Sequence, residues 1–237
     1  MSHRLDPART TGLLYLAVAI TSAVGHLMLG GRLFAGDDPA TWLDRISRQA
    51  PTARAAAALT LGIALSQALV SIAFLRLYRP VDGYAAGTLA AFGLVNAVTM
   101  LASAALLGAA VDTATSTAGA TAASVQLLHM LDANVWDVAG LFFGLWLVPM
   151  GWLVLRSGSG PRALGWLLIT GGGLYVIGAF VTTATPGATA LTTVLALPAT
   201  AGELWIITHL LVRGARSATP EQVAGAALRA RVAGQTK

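Results

Sequence analysis

The chain has 237 residues, of which 56% are hydrophobic and 11% charged, with 15 Lys and Arg against 10 Asp and Glu for a net charge of +5. A soluble domain is about a quarter charged, so this composition excludes both a disordered chain and a water-soluble globule. What remains is an integral membrane protein with a mean hydropathy of +0.71. There is no cysteine, which excludes disulfides and thiolate metal sites. The sequence pI is near 10.4, but basic residues that flank membrane spans account for it, and nucleic acid is not an expected partner.

A helix needs about 20 apolar residues to cross the hydrocarbon core, and six segments meet that length. The first covers about 10–33. Its apolar run is longer than the h-region of a signal peptide, so it reads as a span that stays. In the loop after it, Trp42, Leu43 and Ile46 fall at helical spacing and predict a short interfacial helix on the outer side. The second span covers about 54–76 and the third about 84–110. The next segment, 114–131, is rich in Thr, Ser, Ala and Gly. Its first half reads as a loop and 122–131 as a helical extension, with a seventh span as the alternative.

The fourth span covers about 135–156. The uncharged run 163–202 is too long for one crossing, and Pro186-Gly187 punctuates it. It divides into a fifth span of about 163–184 and a sixth of about 188–212. Residues 1–214 thus form one six-span domain, and 215–237 an amphipathic tail. In that tail Thr219-Pro220-Glu221-Gln222 is a helix start with cap, N1 proline and capping-box glutamine. The fold class is all-α, a polytopic transmembrane helix bundle. Eleven Lys and Arg fall on the side of the two termini and four on the other. The excess predicts that both termini are cytoplasmic, in a multi-pass protein of the cell membrane.

Several stretches occur in a fixed order. Arg9-Thr10-Thr11-Gly12-Leu13-Leu14-Tyr15-Leu16 opens the first span and Leu77-Tyr78-Arg79-Pro80-Val81 closes the second. Phe142-Phe143-Gly144-Leu145-Trp146 and Gly151-Trp152-Leu153 lie in the fourth. Pro161-Arg162-Ala163-Leu164-Gly165, Gly172-Gly173-Leu174-Tyr175 and Gly202-Glu203-Leu204-Trp205 follow. In this order and spacing the chain resembles the bacterial membrane family termed domain of unknown function 4386, over roughly residues 9 to 214. The resemblance implies a topology and no established chemistry. The family often has Asp where this chain has Gln67, and a basic residue near Asn96, so a charged pair that relatives carry is absent here.

Ionisable and polar residues inside a span are costly and mark interior or cavity positions. Glu203, near the middle of the sixth span, is the first candidate for a catalytic acid, with Asp137 as the second. Pro198, five residues before Glu203, frees a carbonyl and favours a polar pocket there. His26, Gln67, Asn96, Trp136 and Trp146 are the candidate pocket residues. The same polar groups admit a packing role through hydrogen bonds between helices. A metal site built from His26, His129 and Asp132 is a further alternative, although no HxxxH or ExxH pair occurs. No metal or cofactor is expected. His209 reads as a solvated residue at the cytoplasmic end. Gly140, Gly144 and Gly151, with Gly171–Gly173 and Gly178, predict close approach of the fourth and fifth spans.

Three functions compete. The first is a bundle that binds a lipophilic small molecule or supports the membrane, with membrane lipids as partners. The alternative is a membrane-embedded enzyme that cyclises or isomerises an isoprenoid-like substrate, with Glu203 as the acid and aromatic faces stabilising a carbocation. The third is a small-solute transporter, for which the sequence shows no internal repeat.

Overall fold

In the computed structural model, which describes residues 6–213 apart from 37, 117, 118, 120 and 186, every regular element is a helix. In chain order these are α1 (Pro7–Leu33), α2 (Pro39–Arg48), α3 (Ala50–Tyr78), α4 (Gly83–Thr115), α5 (Ala122–Ser157), α6 (Arg162–Ala184) and α7 (Thr189–Arg213). Six of them, all but α2, are long and apolar enough to cross a membrane. The tail expected as a helix over 215–237 lies outside the described residues.

The helix boundaries follow from local chemistry. Asp6 caps α1 by accepting the Ala8 N–H at 3.1 Å, and Pro7 takes the first position. Asp82 caps α4 by accepting the Ala85 N–H at 3.0 Å. That bond, with the Trp152 indole N–H at 3.3 Å, holds the Asp82 carboxyl below the usual carboxylate range. Thr121 caps α5, so 122–131 extends the fourth span and is no span of its own. Between α6 and α7, Gly187 has φ +93°, a left-handed value that glycine adopts without strain.

The six long helices pack in a ring in the order α1, α3, α4, α5, α6, α7 and back to α1. Close contact between α5 and α6 comes from glycine. A Cβ on Gly144 would lie 2.7 Å from the Gly172 carbonyl oxygen, and one on Gly151 would overlap the Gly165 carbonyl. The α1–α7 seam is the lightest in the ring. The Pro7–Thr21 stretch packs on both α3 and α7, with Gly12 against Leu210 and Leu211. Beyond Thr21, α1 becomes π-helical over Ser22–Gly30 and keeps to α3. Gly25 makes that contact close, since a Cβ there would lie 2.7 Å from the Leu59 Cβ.

The helix α2 covers one end of the ring. Asp38 caps it through the Ala40 and Thr41 N–H groups. Its apolar face, Trp42 and Ile46, is turned into the bundle and packs with Leu33, Leu107, Val111 and Val125. The Arg45 guanidinium donates to the carbonyls of Arg32, Leu33 and Ala35 at 2.9 to 3.1 Å, closing the orphan end of α1. The Ser47 hydroxyl donates to the Ala114 carbonyl at 2.9 Å.

At the opposite end the ring is filled. Tyr15, Phe74 and Trp146 meet edge to face, with centroids 5.4 to 5.8 Å apart. Leu147, Met150, Leu153, Leu164 and Leu168 surround them, all fully buried. The reading of His209 as a solvated residue is corrected here. Its Nε2 lies 2.7 Å from the Ser159 carbonyl oxygen, because the turn after α5 folds back over α7.

Candidate functional site

Between the aromatic plug and the α2 cap the ring surrounds a partly open cavity of about 510 Å³. All six long helices contribute to its wall. At its floor, α1 and α7 bring the Tyr15 hydroxyl to Glu203, and the phenol donates to Oε1. Tyr15 is itself buried on the plug, and Glu203 is half-buried on the cavity wall. The carboxyl group is thus held by a phenol from the facing helix, across the closed part of the α1–α7 seam.

Gln67 of α3 also lines the cavity and is 0% exposed. Neither its Nε2 nor its Oε1 has a hydrogen-bond partner among the described residues. A buried polar group left unpaired costs about 1–3 kcal/mol, so this amide is a place where stability has been given up. Asn96 of α4 stands nearby on the wall, buried, with its Oδ1 only 3.5 Å from the Thr99 hydroxyl. Most of the rest of the wall is apolar or aromatic, chiefly Val18, Ile63, Met100, Ala139, Phe143 and Ile207, with the hydroxyls of Ser22 and Thr200 among it.

The far wall is a stack. The His26 ring lies on Trp136, with centroids 3.8 Å apart and planes 25° apart. The π-helical stretch of α1 carries His26, and such stretches are frequent at functional sites. Trp136 is fixed in turn: its indole N–H donates to Ser103 Oγ at 2.9 Å, and Ser103 donates to Asp132 Oδ1 at 2.5 Å. Behind the stack lies a second cavity of about 280 Å³, lined by Phe34, Thr60, Ser103, His129 and Asp132. There His129 is stacked on Phe34 at 4.0 Å and meets Trp42 edge on.

The fold therefore gathers His26, Gln67, Asn96, Trp136 and Glu203, from five different helices, around one cavity. It places the other two candidates elsewhere. Trp146 is fully buried in the plug beneath Tyr15 and is not on the cavity wall. Asp137 is exposed and lines an adjoining hollow of about 220 Å³ with Gly178, Thr182, Thr192 and Thr193, which shares Trp136, Gly140 and Tyr175 with the cavity wall. One residue after Trp136 on a helix is turned about 100° from it, so Asp137 reaches only the hollow while Trp136 borders both. No three His, Cys, Asp or Glu come together as a metal site among the described residues.

Sequence reasoning passed over Tyr15 and Tyr175 as site residues. Tyr15 carried a readable signal, since a phenol inside an apolar span is a polar handle that needs a partner. Tyr175 carried none, because an aromatic in a span is equally at home against lipid.

The family model described as "Domain of unknown function (DUF4386)" matches residues 10–214. No curated protein and no solved structure matches the chain.

Proposed function

Because this chain belongs to the family of domain of unknown function 4386, whose description leaves the chemistry open, we propose its function from its own cavity: it binds a lipophilic small molecule that carries at least one hydrogen-bonding group. The observation that supports this is Gln67, fully buried on the wall of a mostly apolar cavity, with both amide atoms unpartnered among the described residues. Buried polar groups are nearly always satisfied. A ligand hydroxyl or carbonyl would pair with this amide while the apolar walls take the body of the molecule. The volume of about 510 Å³ lies within the range of small-molecule sites. The protein works in the cell membrane with both termini in the cytoplasm, as the basic residues favour, and residues 1–214 act as one unit.

The test is mass spectrometry of organic extracts from the purified wild type and Gln67→Leu. A specific lipophilic molecule should accompany the wild type and be lost from the variant. Replacing an unpaired buried amide by an apolar group of similar shape should leave thermal stability unchanged or raise it. Only bulk phospholipid in both preparations would sink the reading and leave a bundle that supports the membrane.

A second reading is favoured by the Tyr15–Glu203 hydrogen bond. A carboxyl group held by a phenol at the floor of an apolar cavity suits an acid that protonates an alkene or epoxide, with Phe143 and Trp136 as π faces for the cation. A chemically altered lipophile in wild-type cells, absent with Glu203→Gln, would select this reading over simple binding.

A further inference from the structure

Access to the cavity is restricted at both ends of the ring. The aromatic plug of Tyr15, Phe74 and Trp146 closes one end, and α2 lies over the ends of α4 and α5 at the other. The side is different. Beyond Thr21, α1 turns π-helical and keeps to α3, while α7 keeps to α6. Along this stretch the cavity is lined by Ala23 and Leu27 from α1 and by Thr200 and Leu204 from α7. All four are exposed, Leu27 by 70% and Leu204 by 59%, so this stretch of the cavity wall is not covered by a second layer of side chains. None of these four side chains carries a charge, and the Thr200 hydroxyl is occupied by the Ala196 carbonyl of its own helix at 3.2 Å.

We propose that the seam between Ser22–Gly30 and residues 196–204 is a lateral portal through which the ligand passes directly between the bilayer and the cavity. The ligand class follows: a lipid-dissolved amphiphile with an apolar body and a small hydroxyl or carbonyl head, delivered sideways with its head towards Gln67 and Asn96. This rests on the ligand-binding reading above, but its test does not use the ligand. A water-soluble or charged molecule would instead come through the hollow beside Asp137, whose lining of Thr182, Thr192 and Thr193 is polar.

The chain contains no cysteine, so a single thiol placed in the cavity reports access without background. Ala139 is small, buried and on the cavity wall. In proteoliposomes holding the full chain with Ala139→Cys, the probes are an N-alkyl maleimide dissolved in the bilayer and a sulfonated maleimide confined to water. The lipid-dissolved reagent should react faster. Adding Ala23→Trp and Thr200→Trp to the rim should slow it by about tenfold, within the span by which variants of one site change association rates. Val98→Trp, at a lipid-facing position on α4 that is 63% exposed, should leave the rate alone and controls for bulk at the surface. Thr200→Trp alone, with an unchanged thermal transition, serves if the double variant folds poorly. The portal is overturned if the sulfonated reagent reacts as fast as the lipid-dissolved one, if neither reacts, or if the rim tryptophans have no effect. Any of these would leave the ligand-binding reading to stand or fall on its own extract.

Discussion

The two halves of this bundle are made of the same six helices and are packed in opposite ways. Towards the start of α1 and the end of α7, the ring is filled by Tyr15, Phe74 and Trp146, sealed by the Gly144–Gly172 and Gly151–Gly165 contacts, and closed all round. Towards the other end the helices part around cavities, one seam thins, and polar side chains are left on the walls. Interiors pack to the density of organic crystals, so the hollow half departs from the rule within a molecule that obeys it elsewhere. The difference teaches how a small bundle holds a cavity in lipid. One half fixes the positions of the helices, and the other is thereby free to be empty of side chains.

That contrast can be broken by experiment, most severely in the filled half. Trp146→Ala removes the centre of the plug and should cost about 3–5 kcal/mol, as deletion of a buried large aromatic does. Thermal unfolding in detergent would show it as a large drop in the transition. A drop no greater than that of a lipid-facing variant such as Trp166→Ala would mean that the plug is not what fixes the helices.

A pair of variants on one helix sharpens the comparison. In Gly144→Ala the new methyl meets the Gly172 carbonyl and the Val176 backbone at 2.7 to 2.9 Å, which cannot yield, and overpacking of this kind costs about 1–3 kcal/mol. In Gly140→Ala, one turn towards the hollow half, it meets only the Tyr175 ring edge at 3.1 Å, and that ring has the cavity to turn into. The Gly140 variant should therefore unfold close to wild type. Equal losses at the two positions would remove the distinction between the halves.

The smallest effect is confined to acid. Asp82 caps α4 at the filled end, and its carboxyl titrates below the ordinary value because the ionised form accepts the Ala85 N–H and the Trp152 indole N–H. A carboxyl depressed in the folded state adds stability above its unfolded pKa of about 3.9 and loses it as the pH falls through the folded value. Asp82→Asn keeps a cap but does not titrate. It should match wild type near neutral pH and show a shallower decline in acid, measured as the thermal transition across that range. An unchanged acid limb would mean that the Asp82 cap adds no stability.

Much of the candidate site is legible in the sequence. Gln67, Asn96 and Glu203 stand out because a polar side chain within a span has few tolerable surroundings, and they do share one cavity. Their mutual arrangement is not legible there. Tyr15 and Glu203 are 188 positions apart, and their meeting depends on the α1–α7 contact that closes the ring. Trp146 and Trp136 look alike in sequence, yet one fills the plug and the other lines the cavity, because they face different helices at different depths. The apolar stripe of α2 is legible as a stripe, while its turning onto Leu107 and Val125 follows from α1 ending beneath Arg45.

The sequence by itself determined the number of spans, the break before Thr189 and the family. Each of these depends on local sums of hydropathy, on cap chemistry or on ordered motifs, all carried by neighbouring residues. Only the tertiary structure decided which half is solid, where the seam opens and which polar groups meet. Those depend on how far each helix is rotated and raised against its neighbours. In lipid that is set by backbone approach at glycines and by aromatic interlock, interactions between residues that lie far apart along the chain.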